Sequence, residues 1–401
     1  MTGGRLALAV GAATLAATTL AVVAARHAVL ADVSPITPAG AWKTIWVACV
    51  TAAVVLSAAG WLLARSGHLR LRAALVVAVL IQTVPLAGPL LLSKDAYLYW
   101  AVGRIVTVHH ANPYVKTVSD FPQDPSYPYP SEAWRSYPAA YGPAGETYVT
   151  IPAVVAGTSA HRAELAYRVF AVLGILLTLA LVAWRTRSAA AIALLGWSPL
   201  VALHYGGGGH SDAWMTAFLV LAVATRPTAV SGAAWAVAGA FKPVPVILLP
   251  LELARARLRF PRRWWTSLIA TTLAIAVTAT AVWGPHWFVD QAKGIHRGVG
   301  YPTPLGGVHW LTQLGLSHGR AVIVAGAVFA AVYLLLLRHA WIRGRARLSL
   351  AATALIITST LVGPWYALWP LALASIEEDD TAGAVAIALS AYLILADAVQ
   401  F

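Results

Sequence analysis

From Ala73 to Leu92 the chain runs for twenty residues without a charged side chain. That is the length a helix needs to cross the hydrocarbon core of a bilayer, ~20 residues at ~1.5 Å each. Apolar runs recur at 6–25, 44–64, 165–184, 189–204, 212–225, 228–241, 244–254, 264–283, 321–337, 348–362, 365–376 and 382–398. In lipid the backbone must satisfy its own polar groups, so only helices or closed barrels can span it. These runs are continuous rather than alternating, which excludes a barrel. With 59% hydrophobic and 11% charged residues, the chain is unlike a soluble domain. The sequence predicts an all-α polytopic membrane protein, one domain over residues 1–401, with about 11–13 membrane segments. Broken helices around a cavity accommodate the shorter runs.

The net charge of +13 would suggest nucleic acid as the partner of a soluble protein. Here the arginines stand in short clusters between apolar runs, as in cytoplasmic membrane loops, and no nucleic-acid partner is expected. The clusters are Arg65, Arg70 and Arg72; Arg185 and Arg187; Arg255, Arg257, Arg259, Arg262 and Arg263; and Arg338, Arg343, Arg345 and Arg347. The single cysteine, Cys49, excludes an internal disulfide. The run Leu6–Ala25 is longer than a signal-peptide core and is expected to stay as the first span.

Placing every basic cluster inside fixes the parity of the crossings. Residues 93–164 become a large first external loop, opened by Asp95. The stretch 147–158 cannot span without inverting every later cluster, so it is expected to be re-entrant or surface-lying. The run 228–254 must turn at Lys242-Pro243, which puts Lys242 on the outer side with Asp95. Gly363-Pro364-Trp365-Tyr366 becomes an outward turn, and the acidic run 377–380 a solvated inner turn without a functional role.

The outer side thereby gathers Lys94, Asp95, Asn112, Pro113, Tyr114, Tyr141, His204, Gly206–Gly209, His210, Asp212, Lys242, His296, Arg297, His309, Trp365 and Tyr366. Ionisable groups at membrane depth are costly and mark function by default. A hydroxyl nucleophile needs a carboxylate to take its proton, a role open to Asp95. A phosphate leaving group needs cationic or imidazole donors, open to Lys242, His296, Arg297 and His309. Tyr and Trp offer flat faces for sugar rings. Each residue also has a plainer reading. Asp95 is a favoured N-cap for the helix beginning at Ala96, and Lys242 can snorkel to the interface. The four glycines lack the Lys-Ser/Thr ending of a phosphate loop and read as a flexible turn. His210 and Asp212 are two ligands, too few for a metal site. The outer aromatics can form an interfacial belt.

Several of these residues fall in an ordered set of motifs. They are Gly88-Pro89-Leu90 through Ser93-Lys94-Asp95-Ala96-Tyr97-Leu98-Tyr99, Asn112-Pro113-Tyr114, Tyr141-Gly142-Pro143, Gly209-His210-Ser211-Asp212-Ala213, Phe241-Lys242-Pro243 and Pro364-Trp365-Tyr366. Over about residues 88–370 the chain resembles the actinobacterial GT-C glycosyltransferases that use polyprenyl-phosphate-mannose (glycosyltransferase family 87-like). The closest likeness is to the alpha-1,6-mannosyltransferases of lipomannan synthesis. The resemblance implies a GT-C helical bundle in the plasma membrane, with its active site facing outside. It implies inverting transfer of mannose from polyprenyl-phosphate-mannose to a lipid-anchored mannan or glycolipid, with no cofactor and no metal. Asp95 is then the catalytic base. Lys242, Arg297 and His309 are expected at the donor phosphate, and Tyr99, Tyr141, His210, Asp212, Trp365 and Tyr366 at sugar or acceptor. The chain departs from the family where Ser211 replaces an expected Asn and in its own loop at 115–140. The alternatives are another sugar or linkage on the same fold, such as arabinosyl or glucosyl transfer, or a transporter or flippase of lipid-linked sugars.

Overall fold

The structure, a computed structural model, describes residues 3–27, 40–289 and 303–400. Its framework is helical. Six helices are long and apolar enough to cross a membrane: α1 (Gly3–His27), α2 (Ala41–Ala64), α6 (Ala160–Thr186), α11 (Arg262–Trp283), α13 (His318–Arg343) and α16, which starts at Asp380. A seventh is a pair bent by 46°, α7 (Ala189–Gly196) followed by 199–206. Shorter apolar helices fill the bundle: α3 (Leu71–Thr83, extended by a 3₁₀ turn to Ala87), α8 (Asp212–Ala224), α9 (Ala229–Phe241) and α14 (Leu348–Thr358). The remaining larger pieces are α4 (Asp95–Thr107), α5 (Pro143–Ala156), α10 (Val244–Arg255), α12 (Gly307–Gln313) and α15 (Leu368–Glu377).

The breaks position the site. Helix α3 ends earlier than the apolar run suggests, because Gly88-Pro89 cannot continue a helix. The chain from Gly88 to Lys94 is irregular but held, with the Leu91 N–H donating to Gly207 O at 2.9 Å. Arg168 on α6 binds both irregular segments. Its Nε donates to Gly206 O at 2.7 Å, its Nη1 to Gly88 O at 2.9 Å, and its Nη2 to Pro85 O. The side chain is buried and its charge is met by Glu164 at 2.9 Å. Non-helical backbone at this depth thus finds its partners inside the protein.

The run 228–254 does break where parity required. Lys242 is extended between α9 and α10. Arg226, just before α9, meets Glu252 near the end of α10 at 2.9 Å, so the two helices run back antiparallel as a hairpin. Three of the basic clusters also meet on one face, since Arg185, Arg255 and Arg345 line a common cavity.

Two expectations change, and the 93–164 segment gains internal structure. The 93–164 loop is largely built structure, containing α4 and α5, and its irregular part is pinned by Asp124. That buried carboxylate accepts from Arg104 Nε at 2.8 Å and lies 2.7 Å from His109 Nε2. Helix α5 packs directly on α4 and α6. A Cβ at Gly103 would come within 2.5 Å of Val149 O, so the α4–α5 approach requires glycine there. The glycine turn is held in place: Gly206 to Gly209 are buried, and the carbonyls of Gly206, Gly207 and Gly209 accept hydrogen bonds. The acidic run is not simply solvated either. Glu377 accepts from the N–H groups of Leu348 and Ser349 at the start of α14, and Asp379 pairs with Arg347 at 2.8 Å.

Candidate active site

Asp95 is the first residue of α4, after Lys94 at the N-cap position, and no side chain caps this helix. Its own N–H donates to Ser93 Oγ at 3.0 Å. The carboxylate points instead to His210, whose Nδ1 lies 3.3 Å from Asp95 Oδ2, and to Tyr99 OH at 3.5 Å. The capping explanation therefore does not apply to this side chain. Burial pushes the Asp95 carboxyl up, but the neighbouring His210, Ser93 and Lys242 outweigh it and hold it below the ordinary carboxylate range. A carboxylate kept ionised and 23% exposed is free to receive a proton.

From Asp95 the contacts form a closed circuit. The His210 ring stacks on Trp365, with centroids 3.9 Å apart and planes 14° from parallel. Trp365 is edge-on to Tyr366 at 5.7 Å. Lys242 Nζ lies 5.0 Å from the Tyr366 ring and 5.0 Å from the Tyr141 ring. Tyr141 OH is 3.0 Å from Tyr99 OH, and Tyr99 returns to Asp95. Residues from α4, the 141–143 turn, the glycine turn, the α9–α10 break and the 363–367 turn thus meet in one place.

The members differ in accessibility. Asp95, Tyr141, Lys242, Trp365 and Tyr366 are half-buried, whereas Tyr99, His210 and Asp212 are buried beneath them. Asp212 holds Lys242 with both oxygens, at 2.9 and 2.8 Å, and also accepts from Trp369 Nε1 at 3.1 Å. The lysine is therefore not snorkelling. Two of its three N–H donors face Asp212, and the aromatic faces around it add cation–π attraction. The lateral frame is fixed by Tyr205 OH donating to Trp365 O at 3.0 Å and by Gly142 N–H donating to Phe241 O at 3.0 Å. Gly209, at φ 76°, supplies the left-handed turn that aims His210 inward.

One of the proposed phosphate ligands stands apart. His309 lies on α12, edge-on to Trp310 at 6.1 Å, and makes no hydrogen bond, ion pair or ring contact with the circuit. Arg297 and His296 fall outside the described residues. Among the described residues, no three His, Cys, Asp or Glu side chains gather as metal ligands.

Sequence reasoning passed over Trp369 and Asp397, next to the circuit. Trp369, which holds Asp212, follows Trp365 by four positions, the spacing that puts side chains on one helical face. Asp397 lies 3.4 Å from the buried His204, whose ring is 5.7 Å from that of His210. It is the lone charge in the apolar run 382–398, which is itself a functional signal. Glu146, one turn into α5, is fully buried, and neither carboxylate oxygen makes a hydrogen bond among the described residues. Burial pushes its pKa up to about 8.

Comparison with known families matches residues 2–289 to the family described as Alpha-(1->6)-mannopyranosyltransferase, N-terminal domain. No curated protein matches the chain.

Proposed function

Because the chain belongs to the alpha-(1->6)-mannopyranosyltransferase family, we propose that it transfers mannose from polyprenyl-phosphate-mannose to a lipid-anchored mannan or glycolipid. The reaction takes place at the outer face of the plasma membrane and inverts the anomeric centre. The observation that carries this reading is the closed circuit from Asp95 through His210, Trp365, Tyr366, Lys242 and Tyr141 back through Tyr99. It combines an ionised carboxylate, a fixed cation and several aromatic faces at the edge of an apolar bundle.

In this mechanism Asp95 accepts the proton of the acceptor hydroxyl as its oxygen attacks the anomeric carbon. The bond from that carbon to the phosphate oxygen breaks, and polyprenyl phosphate leaves with the electron pair. Lys242, with one N–H not directed at Asp212, stabilises the developing phosphate charge. Arg297 is kept as a further proposed phosphate ligand, whereas His309, without contact to this circuit, is not assigned to the phosphate. Tyr141, Trp365 and Tyr366 present flat faces to the sugars. His210, Asp212 and Tyr99 lie behind these residues and set their positions.

The test is reconstitution of the purified protein with labelled polyprenyl-phosphate-mannose and an extract of cell-envelope glycolipids. Label passing to the glycolipid fraction supports the reading. Movement of intact donor across the bilayer, without transfer, would replace it with the flippase alternative. Transfer of arabinose or glucose in preference to mannose would keep the mechanism and change the sugar.

A further inference from the structure

The end of the bundle away from Asp95 carries a second concentration of charge. Helix α10 has twelve residues, so its far end stands about 18 Å from the Lys242 turn at ~1.5 Å per residue. There a cavity of about 220 Å³ is lined by Arg185, Arg226, Arg255, Arg345 and Arg347. These five side chains come from four separate connections: α6–α7, α8–α9, α10–α11 and α13–α14. We propose that this cavity binds the phosphate of an anionic lipid headgroup from the leaflet on that face.

Arginine-rich inner loops are expected of any such protein. Orientation alone, however, leaves arginines scattered and solvated, and here they converge. Glu252, fully buried, is shared by Arg226 at 2.9 Å and Arg255 at 2.6 Å. Asp379 is shared by Arg347 at 2.8 Å and Arg345 at 3.9 Å. Glu252 fixes two guanidinium groups by hydrogen bonds, Asp379 fixes Arg347 with Arg345 beside it, and each carboxylate neutralises one. Glu377, also at the cavity, is directed to the backbone of α14. Glu378 lines the wall as well. Among the described residues Arg185 has no carboxylate partner. Pre-fixed, planar, multiply donating groups suit a phosphate better than a single carboxylate.

The surroundings identify a lipid as the carrier of that phosphate. Arg345 stands two residues past the end of α13, a helix whose spanning window is only 17% buried. Along its last turns Leu334, Leu335, Trp341 and Ile342 are 62%, 66%, 48% and 51% exposed. Acyl chains can lie on that apolar flank while the headgroup enters the cavity. Basic clusters at a membrane surface attract anionic lipids by the same electrostatics.

The test uses the purified full chain in neutral detergent, with short-chain phosphatidylglycerol, short-chain phosphatidylcholine and inorganic phosphate as three probes. Binding is measured by titration, and the thermal midpoint is followed alongside. The variant is Arg185→Gln with Arg345→Gln, both exposed residues whose loss leaves the buried Glu252 pairs intact. Saturable phosphatidylglycerol binding that weakens at least tenfold in the variant, with little binding of phosphatidylcholine, is the expected result. Equal binding of the two lipids, or unchanged phosphatidylglycerol binding in the variant, overturns the site. Inorganic phosphate binding as tightly as phosphatidylglycerol overturns the lipid assignment. None of these outcomes depends on mannosyl transfer.

Discussion

The Nδ1 of His210 stands 3.3 Å from Oδ2 of Asp95, joining the glycine turn before α8 to the start of α4. Asp95→Asn keeps the size of the side chain and removes its capacity to take a proton. A general base contributes about 10²–10⁴-fold in rate. The variant should lose that much mannosyl transfer while inserting and melting like the parent. A folded Asp95→Asn protein with near-parental transfer rules out the mechanism.

His210→Phe retains a ring to stack on Trp365 and removes the nitrogen facing Asp95. His210 is one of the groups that hold the Asp95 carboxyl low against burial. With it gone, the Asp95 pKa rises, and the base is protonated at a higher pH. The acid limb of the rate profile should therefore move upward in pH, and at fixed low pH the variant should be slower. An acid limb that stays in place disconnects His210 from Asp95.

Lys242→Ala leaves Asp212 buried without its cation. Removing one partner of a buried pair typically costs about 3–5 kcal/mol. Lys242→Ala should melt well below the parent, and adding Asp212→Asn should recover much of the loss. If Lys242 also serves the donor phosphate, the double variant stays slow despite its recovered stability. Recovery of transfer together with stability would reduce Lys242 to a structural role.

Glu146 is raised to about 8, so its protonated form is favoured in the folded protein. The stability that comes with this proton is complete below the unfolded carboxyl range near ~4.3 and falls as pH rises toward 8. Glu146→Gln mimics the protonated acid at every pH. Its thermal midpoint should be flatter between pH 5 and 8 and higher than the parent's at pH 8. Parallel curves for the two proteins contradict a proton on Glu146.

For the topology, Lys116→Cys and Arg259→Cys, each exposed, are placed in a background with Cys49 replaced. An impermeant thiol reagent applied to intact cells should label position 116 and spare 259. Labelling of 259 from outside inverts the map and moves the arginine-lined cavity to the outer face.

The apolar runs and the arginine clusters between them determined the class of fold. Backbone satisfaction in lipid allows little else, and the break at Lys242-Pro243 followed from parity alone. The types of residue at the site were legible too, because charge and imidazole at membrane depth are rare enough to notice. Their pairing was not legible. Lys242 and Asp212 are 30 positions apart and bind each other. Trp369 supports Asp212 across 157 positions, and Arg168 ties Gly206 to Pro85 and Gly88. These contacts depend on helices meeting in three dimensions, and the hydrophobic pattern records only which faces are apolar. The same holds for Tyr99, His210 and Asp212: the sequence presents them as equals of Tyr141 and Tyr366. Only packing decides that three lie beneath the surface and two lie on it, because burial belongs to the assembled bundle and not to any one segment.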